Sequence, residues 1–443
     1  MALAHTESNL LDVLSTKLKD TNFKRPEKFS ALSEKAVENL KNHGLPNHKN
    51  EEYKYFNVLR KISKDYSVEL PKTIPQNLDW VNSKMIDDDK GVHIVYINGV
   101  FSSRFSNLEN PVNGFNLFDL DSDSDYLKDK ILELFLEHKQ NVNNDLYLDL
   151  NNAFLNAGFL LNLDKQFDPG RPVYIYHFVT DDIKDTMINK KGIIVLDKDS
   201  KADIVEIFYT ENNNHYFRNY NLETYLKDGS LLNYYVIQET GNDSVCINNV
   251  NIYQSENSRA NTYTFSLKGS YLRNNLNLLL NQENCESHLF GLYFISDKDL
   301  IDNHTTVDHK KPHCFSNEYY KGIINDNGTG TFNGKIYVRP NAQKTNAFQS
   351  NKNLVLTDNA SINTKPQLEI WADDVKCSHG ATTGQLDDEQ LFYLRSRGLD
   401  KESATALLLH AFAFDIVDKV ELEHLRKYIA DKINLRLGYK FSE

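Results

Sequence analysis

The sequence predicts a mainly β protein with helical regions at both ends. Three observations carry this. Between residues 146 and 373, short β-rich runs follow one another, separated by polar turns rich in Asn, Asp and Gly. No long amphipathic helix interrupts this stretch of about 200 residues, and the parallel strands of an ordinary α/β fold would need one between them. On either side, apolar residues recur at the three- and four-residue steps of a helix face.

The first region, 1–145, reads as mainly helical with one hairpin. Leu10, Leu11, Val13, Leu14 and Leu18 recur at helical spacing. A second helix starts near Ser30, with Leu32, Ala36, Val37 and Leu40 on one face, and Gly44 and Pro46 stop it. Val92–Ile97, then Asn98-Gly99, then Val100-Phe101 read as a hairpin with a tight primed turn. A further helix is expected over 124–138, burying Leu127, Ile131, Leu134 and Phe135.

The β-rich region, 146–373, contains expected strands at 173–179, 193–196, 204–209, 231–237, 261–267, 276–280, 290–295, 335–338 and 354–356. These fit a large sandwich or barrel. They also fit a parallel β-helix, whose stacked rungs bury one continuous core. No strict sequence repeat decides between the two.

The tail, 374–443, reads as a helical domain. Asp387 is an N-cap with Gln390 three residues on; Leu391, Leu394 and Arg395 continue the helix and Gly398 ends it. A second helix over 401–420 carries Ala404, Leu407, Leu408, Ala411 and Phe412 on one face, and a third carries Leu422, Leu425, Tyr428, Ile429 and Ile433. Helices this apolar must pack on the β region, on each other or on a partner.

With 443 residues, 40% of them hydrophobic, the chain is globular and has room for two or three domains or one long repeat domain. A net charge of −12 argues against nucleic acid or an anionic membrane as partner. The first twenty residues lack a basic start followed by an apolar core, and no apolar run approaches the roughly 20 residues that span a bilayer. A cytoplasmic location is expected. Cys246, Cys285, Cys314 and Cys377 are few and far apart, which suits a reducing compartment better than a disulfide framework.

The chemistry concentrates in Cys377-Ser378-His379-Gly380. A thiolate is a soft ligand suited to iron–sulfur chemistry, and an imidazole can take the same metal or hold a proton. The pair alone cannot close a tetrahedral site, so a buried thiol beside a locally bonded histidine is the plainer reading. His304, Asp308, His309, His313 and Cys314 fall within eleven residues, but Pro312 argues against a helix that would align the imidazoles, and a structural or interface role is expected. Cys285 with His288, and Cys246 alone, read as core and loop residues. No phosphate-binding Gly-x-x-x-x-Gly-Lys-Ser/Thr loop, dinucleotide fingerprint, Gly-x-Ser-x-Gly elbow or zinc-deaminase signature is present. These absences favour a scaffold over a self-sufficient enzyme.

The run from Asp373 to Gly398 resembles the signature of the SufB/SufD family of iron–sulfur cluster assembly subunits, in its SufD form. So do 332–338, 342–347, the stretch with His309, Pro312, His313 and Ser316, and Lys321-Gly322-Ile323. Near the N-terminus, Gly44-Leu45-Pro46 and Glu51-Glu52-Tyr53-Lys54-Tyr55 are similar to a family element, with Tyr53 where the family has Trp. The resemblance implies a right-handed parallel β-helix core. It implies a non-catalytic scaffold, needed for cluster assembly and iron acquisition. That scaffold pairs with SufB through the β-helix, binds the SufC ATPase through its C-terminal helices, and forms a homodimer when alone. The cluster would be transient on the complex, with none bound by the isolated chain. His379 would be an assembly-site residue and transient metal ligand, with Cys377 beside it. Leu391, Arg395, Leu407, Leu408 and Phe412 would meet the ATPase. Gly380 and Leu394-Arg395-Ser396-Arg397 favour SufD over a SufB-type paralogue, as does Phe348 in a segment where SufB carries a key cysteine. A carbohydrate-active β-helix is the rival from another class; it would need carboxylates converging on one face.

Overall fold

Strand order in this chain is organised by its turns. A computed structural model describes residues 30–438, apart from 48, 63–65, 72–73, 76, 109–112, 121–144 and 213. The helices expected over 10–18 and 124–138 lie outside the described residues. The strands open with β1 (Val92–Ile97), β2 (Val100–Phe101), β3 (Phe115–Asp119), β4 (Ala157–Leu163), β5 (Val173–Val179) and β6 (Thr186–Leu196). They continue with β7 (Lys201–Thr210), β8 (Tyr216–Leu226), β9 (Leu231–Glu239), β10 (Val245–Gln254), β11 (Arg259–Lys268), β12 (Tyr271–Leu280) and β13 (Glu286–Ile295). The last are β14 (Leu300–His309), β15 (Phe315–Ile324), β16 (Thr329–Val338), β17 (Asn346–Val355), β18 (Ser361–Ile370) and β19 (Lys376–Gly384).

From β4 onward, successive strands alternate between two sheets, and each pairs in parallel with the strand two places along. This is a parallel β-solenoid of about 8 turns, and it excludes the sandwich and barrel. The only antiparallel ladders among the described residues are β1–β2 and β3–β4, at the N-terminal end. The expected hairpin is present: Asn98 and Gly99 both have positive φ, as a primed turn requires. Strand pairing runs from 92 to 384, past the expected limits of 146 and 373 at both ends.

A conformational repeat replaces the missing sequence repeat. Asp199, Gly229, Asn257, Asn284, His313 and Lys344 each turn the chain with positive φ. The N–H of each donates to the carbonyl of the stacked turn above: Asp228, Glu256, Glu283, Pro312, Gln343 and Asp374 respectively. The next residue is Ser200, Ser230, Ser258, Cys285, Cys314 or Thr345. All but Cys314 donate from the side chain to the carbonyl three residues back. Cys285 and Cys314 therefore occupy a position that hydroxyls fill in the other rungs, which accounts for their burial.

Inside the solenoid, apolar columns dominate, from Val92 and Ile94 through Leu222, Ile252 and Leu278 to Ile336 and Val338. Full burial of each such side chain stabilises by about 1.5–3 kcal/mol. Gly291 and Gly322 alternate with Tyr293 and Tyr320 on β13 and β15; a Cβ on either glycine would enter the facing tyrosine ring.

Helices cover the outer faces. α1 (Ser30–His43), α2 (Asp79–Lys84) and α3 (Leu146–Ala153) belong to the N-terminal part. α1 buries Ala36 and Leu40, and Gly44 closes it with positive φ. α4 (Asp388–Ser396), α5 (Lys401–Val417) and α6 (Glu423–Leu437) form the tail. Asp387 caps α4 through Glu389 N–H and Gln390 N–H, as expected. The expected stripe on α5 needs correction. Its buried residues are Ala404, Ala406, Leu409, Ala413, Ile416 and Val417; the last four share a core with Leu292, Phe294 and Ile323 of the solenoid, while Ala411 is exposed. α5 is apolar all round, so spacing alone could not choose the face. Among the described residues no helix is long and apolar enough to cross a membrane.

Candidate functional site

Cys377 and His379 stand on strand β19, not in the helical tail where the sequence seemed to put them. Lys376 N–H donates to Thr345 O and starts the ladder with β17, pairing Ala347 with Cys377 and Gln349 with His379. Residues two apart on a strand share a face. Ala347 and Gln349 are buried, so Cys377 and His379 stand on the face that lines the interior in earlier rungs. Among the described residues no strand follows β19. Cys377 is half-buried against the core, and burial raises its thiol above the usual range. His379 is exposed, and among the described residues none hydrogen-bonds its imidazole.

Beneath His379 lies a polar column. Gln349 Nε2 donates to Glu318 Oε2 at 2.6 Å. Burial raises the Glu318 carboxyl to about 7, although the Gln349 hydrogen bond acts against this. Sequence reading missed both residues. The available signal was their position: two polar residues in register behind His379, inside a β-helix.

The last rung leaves two strands with one neighbour each. Among the described residues β18 pairs only with β16, and β19 only with β17. Ser361 N–H donates to Gly328 O, so odd-numbered N–H groups of β18 face β16 and even-numbered ones face outward. Pro366 falls on the outward set and removes a donor there. The same parity on β19 aims the N–H groups of Cys377, His379, Ala381 and Thr383 outward, with no proline among them. β19 is the open edge.

The second candidate surface is the tail. No residue of α4 is buried. Phe392 is 74% and Tyr393 57% exposed, next to a shallow depression lined by Tyr393, Leu394, Leu407, Leu408 and Ala411. Leu391 and Leu394 are half-buried and Arg395 is exposed. Phe412 does not belong to this surface: it packs on the solenoid with the Lys321 ammonium 3.9 Å from its ring centre. Phe392 and Tyr393 were missed, because on paper they looked like ordinary helix residues.

Within the histidine-rich run 304–314 only His309 and Cys314 come together, and the other side chains diverge. His304 faces outward and pairs with Asp302 and Glu52; Asp308 pairs with Arg339; His309 faces inward and bonds Ser316 Oγ at 2.9 Å. Among the described residues no group of three His, Cys, Asp or Glu side chains is placed to hold a metal ion.

Two family models match the chain. "SUF system FeS cluster assembly, SufBD core domain" covers residues 178–412, and "SufBD protein N-terminal region" covers 4–175. The chain is 27% identical to the iron–sulfur cluster assembly protein SufD of Escherichia coli, over 93% of each chain. It is 29% identical to an iron–sulfur cluster assembly SufBD family protein of Synechocystis sp., over 77% of each. A family protein of Mycobacterium leprae is 35% identical over 39% of this chain and 46% of its own.

Proposed function

The chain belongs to the SufBD family of iron–sulfur cluster assembly proteins, and we propose that within it this protein is a SufD-type, non-catalytic scaffold of the cytoplasm. It pairs with a SufB-type paralogue along β19 and carries a SufC-type ATPase on α4 and α5. The observation that carries this reading is the unfinished last rung. β19 presents unpaired backbone donors, and an unpaired edge is a ready template for another chain's strand. The face of the same strand bears Cys377 and His379, so whatever pairs with β19 comes beside a thiol and an imidazole. Such groups can take a nascent cluster in passing, the partner supplying further ligands, and an imidazole can also move protons near neutral pH. In the absence of the paralogue, the same edge accepts a second copy.

The exposed Phe392 and Tyr393, with the half-buried Leu407 and Leu408 nearby, support the ATPase surface, since apolar side chains in one patch mark contact sites. The test is complementation of a Suf-dependent strain with His379→Ala, alongside gel filtration of the complex. Cluster assembly is expected to fail while the complex forms. Full activity of the variant would remove His379 from the site. Leu408→Asp is expected to abolish ATPase capture in a pull-down and to leave pairing with the paralogue intact.

A further inference from the structure

A cavity of about 360 Å³ lies between the N-terminal segment and the outer face of the β4–β18 sheet, far in sequence from the last rung. Its floor is two rows of side chains set by strand register. One row is Asn249, Asn275, His304 and Asn333; the other is Asn251, Asn277, Thr306 and Lys335. Its walls are the turn Glu51–Tyr53 and the start of α3. A second hollow of about 320 Å³ continues it past Glu52 to Thr331 and Lys365.

The charges here are already matched to one another. Arg273, buried, donates to Asp302 Oδ2 at 2.7 Å and to Glu52 O at 2.6 Å, and its guanidinium lies 3.9 Å from the Tyr53 ring centre. Glu52 pairs with Lys335 and with His304. Hydrogen bonds from His304, with Lys335 adding to them, hold its carboxyl down at about 2 against the effect of burial. Glu51 pairs with Lys365. Asp145 accepts from Tyr53 Oη at 2.6 Å and from Asn275 Nδ2 at 3.3 Å. An ionic ligand would give up its hydration and find no spare counter-charge.

The unmet hydrogen-bonding capacity is on neutral groups. Asn249 Nδ2 and Asn333 Oδ1 in the cavity, and Thr331 Oγ1 in the adjoining hollow, have no partner, in residues only 2%, 6% and 4% exposed. Buried polar atoms of this kind cost free energy until something bonds them. Asn249 Oδ1 is taken by Asn275, and Asn251 Oδ1 by Asn277, so the carboxamides are held in fixed orientation. The floor offers donors and acceptors side by side, and a hydroxyl is both at once. The volume lies within the range of small-molecule sites.

We propose that this cavity binds a small uncharged polyhydroxy molecule, of monosaccharide to disaccharide size. This binding site is independent of the reading of the last rung.

The test is titration calorimetry on the full chain with four neutral probes: glucose, N-acetylglucosamine, myo-inositol and maltose. Glutamate, citrate and an uncharged extended hexapeptide serve as the contrasting arms. Saturable binding of at least one neutral polyol is expected. Asn249→Ala removes the free donor, and Thr306→Phe fills the cavity without stranding a polar group. Each should weaken binding at least about tenfold, a loss of about 1.4 kcal/mol, with melting temperature preserved. The proposal is overturned if none of the four binds saturably up to about 10 mM, a limit of roughly −3 kcal/mol. It is equally overturned if both variants bind as the wild type does, or if only the charged probes or the peptide bind.

Discussion

The two ends of the solenoid solve the same problem in opposite ways. The N-terminal end is closed. β2 is a two-residue edge strand folded back by a hairpin turn, β3 caps the other sheet antiparallel, and α3 lies over β6 and β8. The C-terminal end is open: among the described residues β19 is unpaired on one side, and His379 on its inner face is exposed. The polar groups inside follow suit. Near the closed end, His177 Nε2 and Glu206 Oε1 are 3.2 Å apart, and Lys190 Nζ lies 3.2 Å from His177 Nδ1. Glu206 also accepts from Tyr220 at 2.6 Å and Tyr234 at 2.5 Å. Burial, with Lys190 beside it, pushes His177 down to about 3; burial would raise Glu206, but its three hydrogen bonds hold it low. At the open end Cys377 and His379 have no such enclosure. The contrast separates polar residues enclosed by the fold from polar residues that the fold leaves open.

Breaking the closed end should have the largest effect. Glu206→Ala leaves His177 and two tyrosine hydroxyls without their shared acceptor, and Lys190 without a nearby counter-charge. A loss of about 3–5 kcal/mol is expected, as for removal of one member of a buried charged cluster. Urea unfolding measures it; a loss below about 1 kcal/mol, the worth of one ordinary hydrogen bond, would mean that the cluster is loosely held.

Glu318 sharpens the comparison from the middle of the molecule. Its folded carboxyl titrates at about 7 against 4.5 in the unfolded chain. The unfolded state therefore releases its proton first as pH rises, so stability falls between about pH 4.5 and 7 and then levels off. A shift of this size corresponds to about 3 kcal/mol. Glu318→Gln should abolish this fall in urea unfolding curves taken across that interval. A slope identical to wild type would show that other groups cause it.

At the open edge, Ala381→Pro copies onto β19 what Pro366 already does on β18. It removes an outward N–H without touching the ladder to β17. Pairing with the paralogue, or with a second copy, is expected to weaken about tenfold, roughly 1.4 kcal/mol. Analytical ultracentrifugation reads this directly, and unchanged association would move the pairing surface off β19. The smallest effect is on stability at the candidate site. His379→Ala, at an exposed position, should shift unfolding by less than about 0.5 kcal/mol. A shift like that at Glu206 would make His379 a structural residue.

Much of this architecture was legible beforehand. The β-rich middle, the helical ends, the hairpin at Asn98-Gly99, the stop at Gly44 and the Asp387 cap all follow from local rules, because each depends on residues a few positions apart. Several strands were not legible, including Tyr216–Leu226, Val245–Gln254, Leu300–His309 and Lys376–Gly384. Their Asn, Asp, His and Thr residues read as turn or loop. They are tolerated in strands because stacked neighbours bond them, as Asn275 does Asn249 and Asn274 does Asn303.

The motif at Cys377 and His379 was visible as chemistry but not as geometry. Adjacency in sequence placed it before a helix; only the ladder to β17 makes it the face of an open edge. The same holds for Phe412 and for α5. An all-apolar helix carries no record of which side meets the solenoid, and the pairing of Lys321 with Asp415 at 2.5 Å is part of what fixes it. By itself the sequence determined the β-rich middle, the helical ends, the hairpin at Asn98-Gly99, the stop at Gly44 and the Asp387 cap, because each depends on neighbouring residues. Tertiary structure decided the rung repeat, which lives in backbone conformation at Asp199, Gly229, Asn257, Asn284, His313 and Lys344. Six different contexts reach one positive-φ geometry there, because each turn's N–H must meet the carbonyl of the next.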